Sequence, residues 1–329
     1  MALSSFLTAT GPGAVSSANL VGVVASLSEL IAISAQAQCA PLLRAPRRGS
    51  APGQHRSNQK SRGMEFAESR PYQSGDDARL LDWRQTARRG RPYTKLFQEE
   101  HERPVQLLVD LGPSMRFGTR VAFKSVVAAR ASALLAWRAV VTGERVGGLV
   151  CNGDQISAVR PQGRQHGVLA LLAALADASA AAPAQHDAGL AEPLERLTRS
   201  LLPGSQVTLI SDFATLDDRA ERLIGALARS ADLRLLQVYD IFEQEAPPPG
   251  RYHLSDGQRR LDLDLRSEAA RVAYGTAFAT RQRALEQLAQ HCGASWLPLA
   301  THQTPASVLA PALLTHPPLW HGPTSGFAP

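Results

Sequence analysis

The sequence predicts an α/β fold: a doubly wound, mostly parallel sheet flanked by helices, preceded by an N-terminal helix and an extended loop. Three observations carry this reading. Short runs rich in Val, Leu and Ile (Val105–Asp110, Val207–Ile210, Leu233–Tyr239) have the texture of strands buried on both faces. Stretches of helical length alternate with them, as a parallel sheet with crossover helices requires. Finally, 44% of the 329 residues are apolar, enough to fill a core on each side of a sheet.

The elements follow in order. Residues 1–28 carry no charge, but no basic segment opens them. The most apolar part, Leu20–Ala35, is interrupted by Glu29 and is shorter than the roughly 20 residues of a membrane span. Ala18–Ala37 reads as one amphipathic helix, with Leu20, Val23, Val24, Leu27, Leu30 and Ile31 on the face that docks on the domain or on a partner. The tract 44–62 is a flexible linker of Pro, Gly, Ser and Arg. After the strand at Val105–Asp110 come a helix over Ala122–Val141 and a hairpin of Arg145–Cys151 and Gln155–Arg160 turning at Asn152-Gly153. Helices over Gly167–Ala178 and Gly189–Leu201 lead to the strand Val207–Ile210. Leu216–Arg229 is a helix with Thr215 as its cap. A second hairpin spans Arg251–Leu265, and a long helix covers Ser267–Cys292, closed by Gly293. The last strand, Ser295–Leu299, is followed by a helix from Pro305 and a disordered tail at 317–329. The domain layout is therefore 1–43, linker 44–62, loop segment 63–104, α/β domain 105–316 and tail 317–329.

Charge narrows the function classes. Thirty-five basic against 29 acidic residues give +6, and the tract 44–62 holds six basic residues and no acid. The remainder of the chain is neutral, so the excess belongs to one tract. That tract has no aromatic residue for base stacking, which leaves non-specific contact with phosphates or anionic lipid headgroups, or a solvated linker. No specific nucleic-acid partner follows. The three cysteines (Cys39, Cys151, Cys292) are far apart, fitting reduced buried thiols and a cytoplasmic location.

Nucleotide and hydrolase signatures are absent: none of the three lysines follows a glycine, and no G-x-S-x-G or H-E-x-x-H occurs. What remains lies at strand ends. Asp110 and Ser114 follow one buried strand and Asp212 follows another; if the strands are neighbours, their oxygens face one crevice. Such oxygens suit a hard cation such as Mg²⁺, and they equally suit the capping of helices. A second dense segment, Gly63–Leu96, interleaves acids and arginines around Tyr72, Gly75 and Trp83. It reads as a salt-bridged loop clamp or as a recognition surface.

That segment resembles a widespread prokaryotic group, domain-of-unknown-function family fifty-eight. The residues that carry the resemblance are Arg70, Tyr72, Gly75-Asp76, Arg79, Asp82-Trp83 and Ala87-Arg88, and the match continues through Lys95, Glu100, Val105–Asp110, Phe117-Gly118, Lys124 and Asp212. The resemblance implies a fold like the von Willebrand factor A domain. Its shorter members, without membrane helices, resemble this chain better than the longer ones. It also implies partners: MoxR-type AAA ATPases and further von Willebrand A proteins, with which family members help to remodel or mature other proteins. No enzymatic activity is established for the family. The domain it resembles binds a cation through an aspartate and two serines after the first strand, a threonine from a later loop and an aspartate after the fourth strand. Asp110, Ser114 and Asp212 match three of these positions, which makes a degenerate metal-ion-dependent adhesion site. Gly112 replaces one serine and residues 161–190 contain no threonine, leaving Asp187 as a substitute ligand.

The expectation is a non-enzymatic, chaperone-like adaptor for a MoxR-type AAA ATPase. It has no cofactor, or at most Mg²⁺, and works through the carboxyl edge of the sheet and the segment Arg70–Arg88. The alternatives are a metal-dependent enzyme using Asp110, Ser114 and Asp212, and peripheral binding of anionic polymers or membranes through 44–62.

Overall fold

A computed structural model describes residues 21–39, 64–73, 77–99, 104–153, 155–182, 184, 188–202, 204–214, 216–255 and 260–315. The basic tract 44–62, the tail at 317–329, Gly75, Asp76, Asp187 and Thr215 lie outside the described residues. Contacts divide the chain into two compact units, one of Pro46–Glu102 and one of Met1–Ala45 with Arg103–Pro329.

Along the chain, α1 (Leu27–Ala32) and α2 (Ser34–Cys39) precede β1 (Met64–Pro71), α3 (Trp83–Arg89) and β2 (Tyr93–Glu99). Next come β3 (Val105–Asp110), α4 (Lys124–Val141), β4 (Val146–Asn152), β5 (Gln155–Gln162), α5 (Arg164–Ala180) and α6 (Ala191–Ser200). The remainder is β6 (Gln206–Ser211), α7 (Asp218–Ser230), β7 (Asp232–Tyr239), α8 (Ile241–Gln244), β8 (Arg251–Ser255), β9 (Arg260–Asp264), α9 (Glu268–Cys292), β10 (Ser295–Ala300) and α10 (Pro305–Thr315).

In the larger unit six strands form one sheet in the order β10-β7-β6-β3-β4-β5, parallel throughout except for the antiparallel hairpin β4–β5. This is the α/β class expected from the apolar runs. Because alternate side chains of a strand point to opposite faces, the sheet divides its apolar residues between two cores. Leu107 and Val109 of β3, Ile210 of β6 and Leu236 and Val238 of β7 pack with α1, α2, α4, α5 and Leu309 of α10. Leu108, Leu209 and Leu235 face the other way, into Leu194 and Leu197 of α6, Ile224 and Leu227 of α7 and Leu285 of α9. The outer strands are β5 and β10, and each contains a proline, Pro161 and Pro298. Between β4 and β3 the backbones approach so closely that a Cβ on Gly148, whose φ is +153°, would lie 1.9 Å from the Leu107 carbonyl oxygen, so only glycine fits there.

The N-terminal segment departs from the single helix expected over Ala18–Ala37. It folds as a turn and two short helices broken at Ile33, and residues 18–20 lie outside the described set. The docked face also differs. Ala25, Leu30, Ile33 and Ala37 are buried in the first core, whereas Val23, Leu27 and Ile31 stay partly exposed. Leu30, Ile33 and Ala37 share the i, i+3, i+7 spacing that meets α4, and polar bonds fix that choice. The Ala25 N–H donates to Ser179 Oγ at 2.9 Å, Trp137 Nε1 donates to the Leu30 carbonyl at 3.1 Å, and Arg130 pairs with Glu29. Covered by this segment on one side and by the sheet on the other, α4 is buried almost all round, and so it lacks a polar face.

Two further corrections concern local chemistry. The helix expected at Leu216–Arg229 starts at Asp218, and its cap is Asp217, whose carboxylate accepts the Ala220 N–H at 2.7 Å. Residues 63–104, expected as an extended loop, contain the antiparallel pair β1–β2 with a short 3-10 turn at Ala78–Leu80 and α3 between them. A bulge between Phe66 and Glu68 shifts the register by one residue, which scrambles the apolar–polar alternation that marks a strand.

Candidate functional site

The carboxyl ends of β3, β6 and β7 stand side by side, so the acids after these strands share one edge of the sheet. Asp110, the last residue of β3, is 8% exposed. Its Oδ1 accepts the Gly112 N–H at 2.8 Å and its Oδ2 accepts the Ser211 hydroxyl at 2.7 Å. Ser211 Oγ in turn accepts the N–H of Phe213, a residue held at φ +54°, a left-handed conformation unfavourable for an aromatic side chain. Ser114, in the 3-10 turn Pro113–Met115, is half-buried and takes no part in this network.

Asp212 meets a cation supplied by the chain. Its Oδ1 accepts the Ala214 N–H at 3.0 Å, and its Oδ2 lies 2.7 Å from Lys124 Nζ. Lys124 opens α4, is 1% exposed, and reaches Glu243 Oε1 of α8 at 2.8 Å as well. Burial works against its charge, but the carboxylates of Asp212 and Glu243 outweigh burial and hold the ammonium above its ordinary pKa. The face of Phe117 lies 6.0 Å from the same ammonium.

Glu243 links this pair to a second buried acid. Its Oε2 accepts the Asp240 N–H at 2.9 Å, and the Asp240 side chain caps α8, completing a capping box. Asp240 is fully buried and accepts four hydrogen bonds: from the Thr119 N–H and hydroxyl, the Thr301 hydroxyl and the Phe242 N–H. Burial alone would raise its pKa; the donors from Thr119, Thr301 and Phe242 hold it below the ordinary value. The loop after β3, the ends of β6, β7 and β10, and the starts of α4 and α8 are thereby tied into one polar lattice.

A divalent cation does not fit these residues. An ammonium already lies against Asp212, where it would repel a metal ion. Among the described residues no three His, Cys, Asp or Glu side chains converge in a geometry that could hold a metal. The structure therefore brings Asp110 and Asp212 to one edge, as the sequence suggests, but leaves Ser114 apart and fills the acid with lysine. Sequence reasoning missed Lys124, Glu243, Asp240, Thr119 and Thr301 in this role. The available signal was Lys124 itself, a cation within a run of apolar helix residues.

Beside Asp212 opens a cleft of about 280 Å³, with Phe213, Tyr239, Glu243, Phe278 and Arg281 on its walls. That volume falls just under the usual range for small-molecule pockets. Nearby, burial and the charge of Asp110 push the Cys151 thiol far up, so it stays protonated and inert.

The other expected site lies in the smaller unit. Asp82 caps α3: its Oδ1 accepts the Gln85 N–H at 3.1 Å and its Oδ2 accepts the Ser69 hydroxyl at 2.7 Å. The Tyr72 N–H donates to the Pro92 carbonyl, and the Tyr93 N–H donates to Thr86 Oγ1. With its frame fixed in this way, α3 turns Trp83 outward at 70% exposure, in the same unit as partly exposed Tyr72 and Leu80. Arg79, Arg84 and Arg88 are exposed as well, and Arg70 is half-buried, with Nη1 donating to the Pro71 carbonyl at 3.3 Å.

The fold and the two sites define a class: an α/β-sheet protein whose carboxyl edge is closed by its own lysine, with an arginine- and aromatic-bearing β-pair segment that precedes the sheet in the sequence. More particularly, the chain belongs to the family described as protein of unknown function DUF58, whose model matches residues 68–284. It is 30% identical over 246 residues to uncharacterized protein Rv1480 of Mycobacterium tuberculosis (strain ATCC 25618 / H37Rv), spanning 73% of this chain and 75% of that one. The same figures hold for uncharacterized protein Mb1516 of Mycobacterium bovis. Among solved structures, the conserved hypothetical protein BatB from Bacteroides thetaiotaomicron is 16% identical, covers 58% of this chain and 98% of its own, and gives a TM-score of 0.36. A von Willebrand factor type A protein from Catenulispora acidiphila is 14% identical over 45% of this chain and 35% of that chain, with a TM-score of 0.30. No helix among the described residues is long and apolar enough to cross a membrane.

Proposed function

We propose that the chain is a non-enzymatic adaptor or co-chaperone that docks on a MoxR-type AAA ATPase in the cytoplasm. In this reading the segment Arg70–Arg88 and the carboxyl edge of the sheet supply the contacts, and von Willebrand A proteins join the assembly. The observation that supports it is Trp83, 70% exposed on a helix whose cap is buried. Trp, Tyr and Arg are the residues that dominate interface energetics, and this unit exposes Trp83 together with Arg79, Arg84 and Arg88. The partner's kind follows from the family resemblance.

The test is a binding measurement between the purified chain and the MoxR-type ATPase of the same organism, with and without ATP. Trp83→Ala should weaken the complex by about 30-fold or more, the loss of a strong anchor residue, while leaving Tm unchanged. A native chain that forms no complex in either nucleotide state overturns the proposal. A Trp83→Ala chain that binds as well as the native one removes the segment from the contact.

A further inference from the structure

We propose that Lys124 is the resident cation of the sheet's carboxyl edge, taking the place of a divalent ion and making this edge independent of metal.

Three features of the geometry carry the inference. The ammonium is buried, with 2% of the side chain exposed, and it bridges carboxylates from two separate elements, Asp212 after β6 at 2.7 Å and Glu243 of α8 at 2.8 Å. It lies beyond the carboxyl ends of parallel strands, where open α/β sheets gather their ligands. The acids it joins are held from behind, Asp212 by the Ala214 N–H and Glu243 by the Asp240 N–H, so they present fixed oxygens toward one point. Two carboxylates and a complement of waters are a sufficient first set of ligands for Mg²⁺ or Mn²⁺. What keeps such an ion out is the lysine.

The substitution changes what the edge can do. A bound divalent ion keeps exchangeable waters, and an acidic group from outside can displace one of them. An ammonium has only three N–H donors and accepts nothing. Two of them point at Asp212 and Glu243, and the side chain is closed from solvent. Among the described residues Lys124 therefore offers no open coordination position at this edge, and a contact made through it is insensitive to chelators.

The test compares the native chain with Lys124→Ala by Mn²⁺ titration, read by electron paramagnetic resonance and by Tm. The native chain should show no saturable Mn²⁺ binding and no change in Tm with Mg²⁺, Mn²⁺ or EDTA. Lys124→Ala should bind Mn²⁺ at least about tenfold tighter than the native chain and gain Tm with the ion, since a ligand that binds only the folded state stabilises it. Adding Asp212→Asn should abolish that gain. If Lys124→Ala is recovered unfolded, the same contrast is read by refolding it with and without Mn²⁺, folding being restored only with the ion. The proposal is overturned by saturable, Asp212-dependent metal binding to the native chain. It is equally overturned by a Lys124→Ala chain that responds to neither ion in the folded state or on refolding.

Discussion

A carboxylate sealed from water survives only while its donors stay in place, and Asp240 depends on four of them from three separate parts of the chain. Hydrogen bonds to a charged group are worth about 1.5–3 kcal/mol each when lost individually. Asp240→Ala should therefore destabilise the larger unit by about 3 kcal/mol or more, measured by urea unfolding at neutral pH. The sign of the pH dependence follows from the depressed pKa. The contribution is present above the unfolded-state value of 3.8 and is lost as pH falls through the lower folded value. The native chain should lose urea stability steeply on acidification below 3.8, and Asp240→Asn should flatten that slope. Lys124 acts on the opposite limb. Its raised pKa makes its contribution complete below 10.5, and that contribution is lost as pH climbs through the folded value. Beyond the oddity of a lysine in an apolar run, none of this was readable in the chain. Lys124 is separated from Asp212 by 88 residues and from Glu243 by 119, and a lysine in the first turn of a helix ordinarily faces solvent. By contrast, Ser267 and Gly293 announced both ends of α9, because caps are local chemistry that a few adjacent residues decide.

Elements were legible in proportion to how self-contained their burial is. The strands β3, β6 and β7 are enclosed by helices on both faces, so they read as apolar runs whatever the tertiary detail. The pair β1–β2 was hidden by its bulge, and α1–α2 because its buried face is chosen by α4 and α5, not by its own periodicity. At that face the backbone leaves little latitude. The carbonyl of Gly22 accepts the Phe123 N–H at 2.8 Å, and at φ +84° a Cβ on Gly22 would lie 2.6 Å from the Val121 carbonyl oxygen. Gly22→Ala should cost at least about 1 kcal/mol, the usual minimum where alanine meets an incompatible left-handed site. Leu30→Ala should cost about 2–5 kcal/mol, the range for emptying a buried leucine site. Both losses are checked by urea unfolding, and amide exchange should quicken first at Ala25 and Phe123, whose N–H groups anchor the segment.

At the scale of the whole molecule the strand order leaves β5 and β10 as the sheet's two margins among the described residues. A free strand margin is a template on which another chain can add its own backbone hydrogen bonds. Pro161 and Pro298 each lack the N–H that such an addition needs, and in β5 the exposed Arg160 sits beside Pro161. Neither margin can be copied into a continuous intermolecular ladder. Pro161→Val together with Pro298→Val should leave the chain folded, yet shorten its lag before thioflavin-positive aggregation at raised concentration. An unchanged lag would mean that the edges are guarded by something else. On this expectation two residues with no part in either site set how densely the protein can be packed without its sheets fusing.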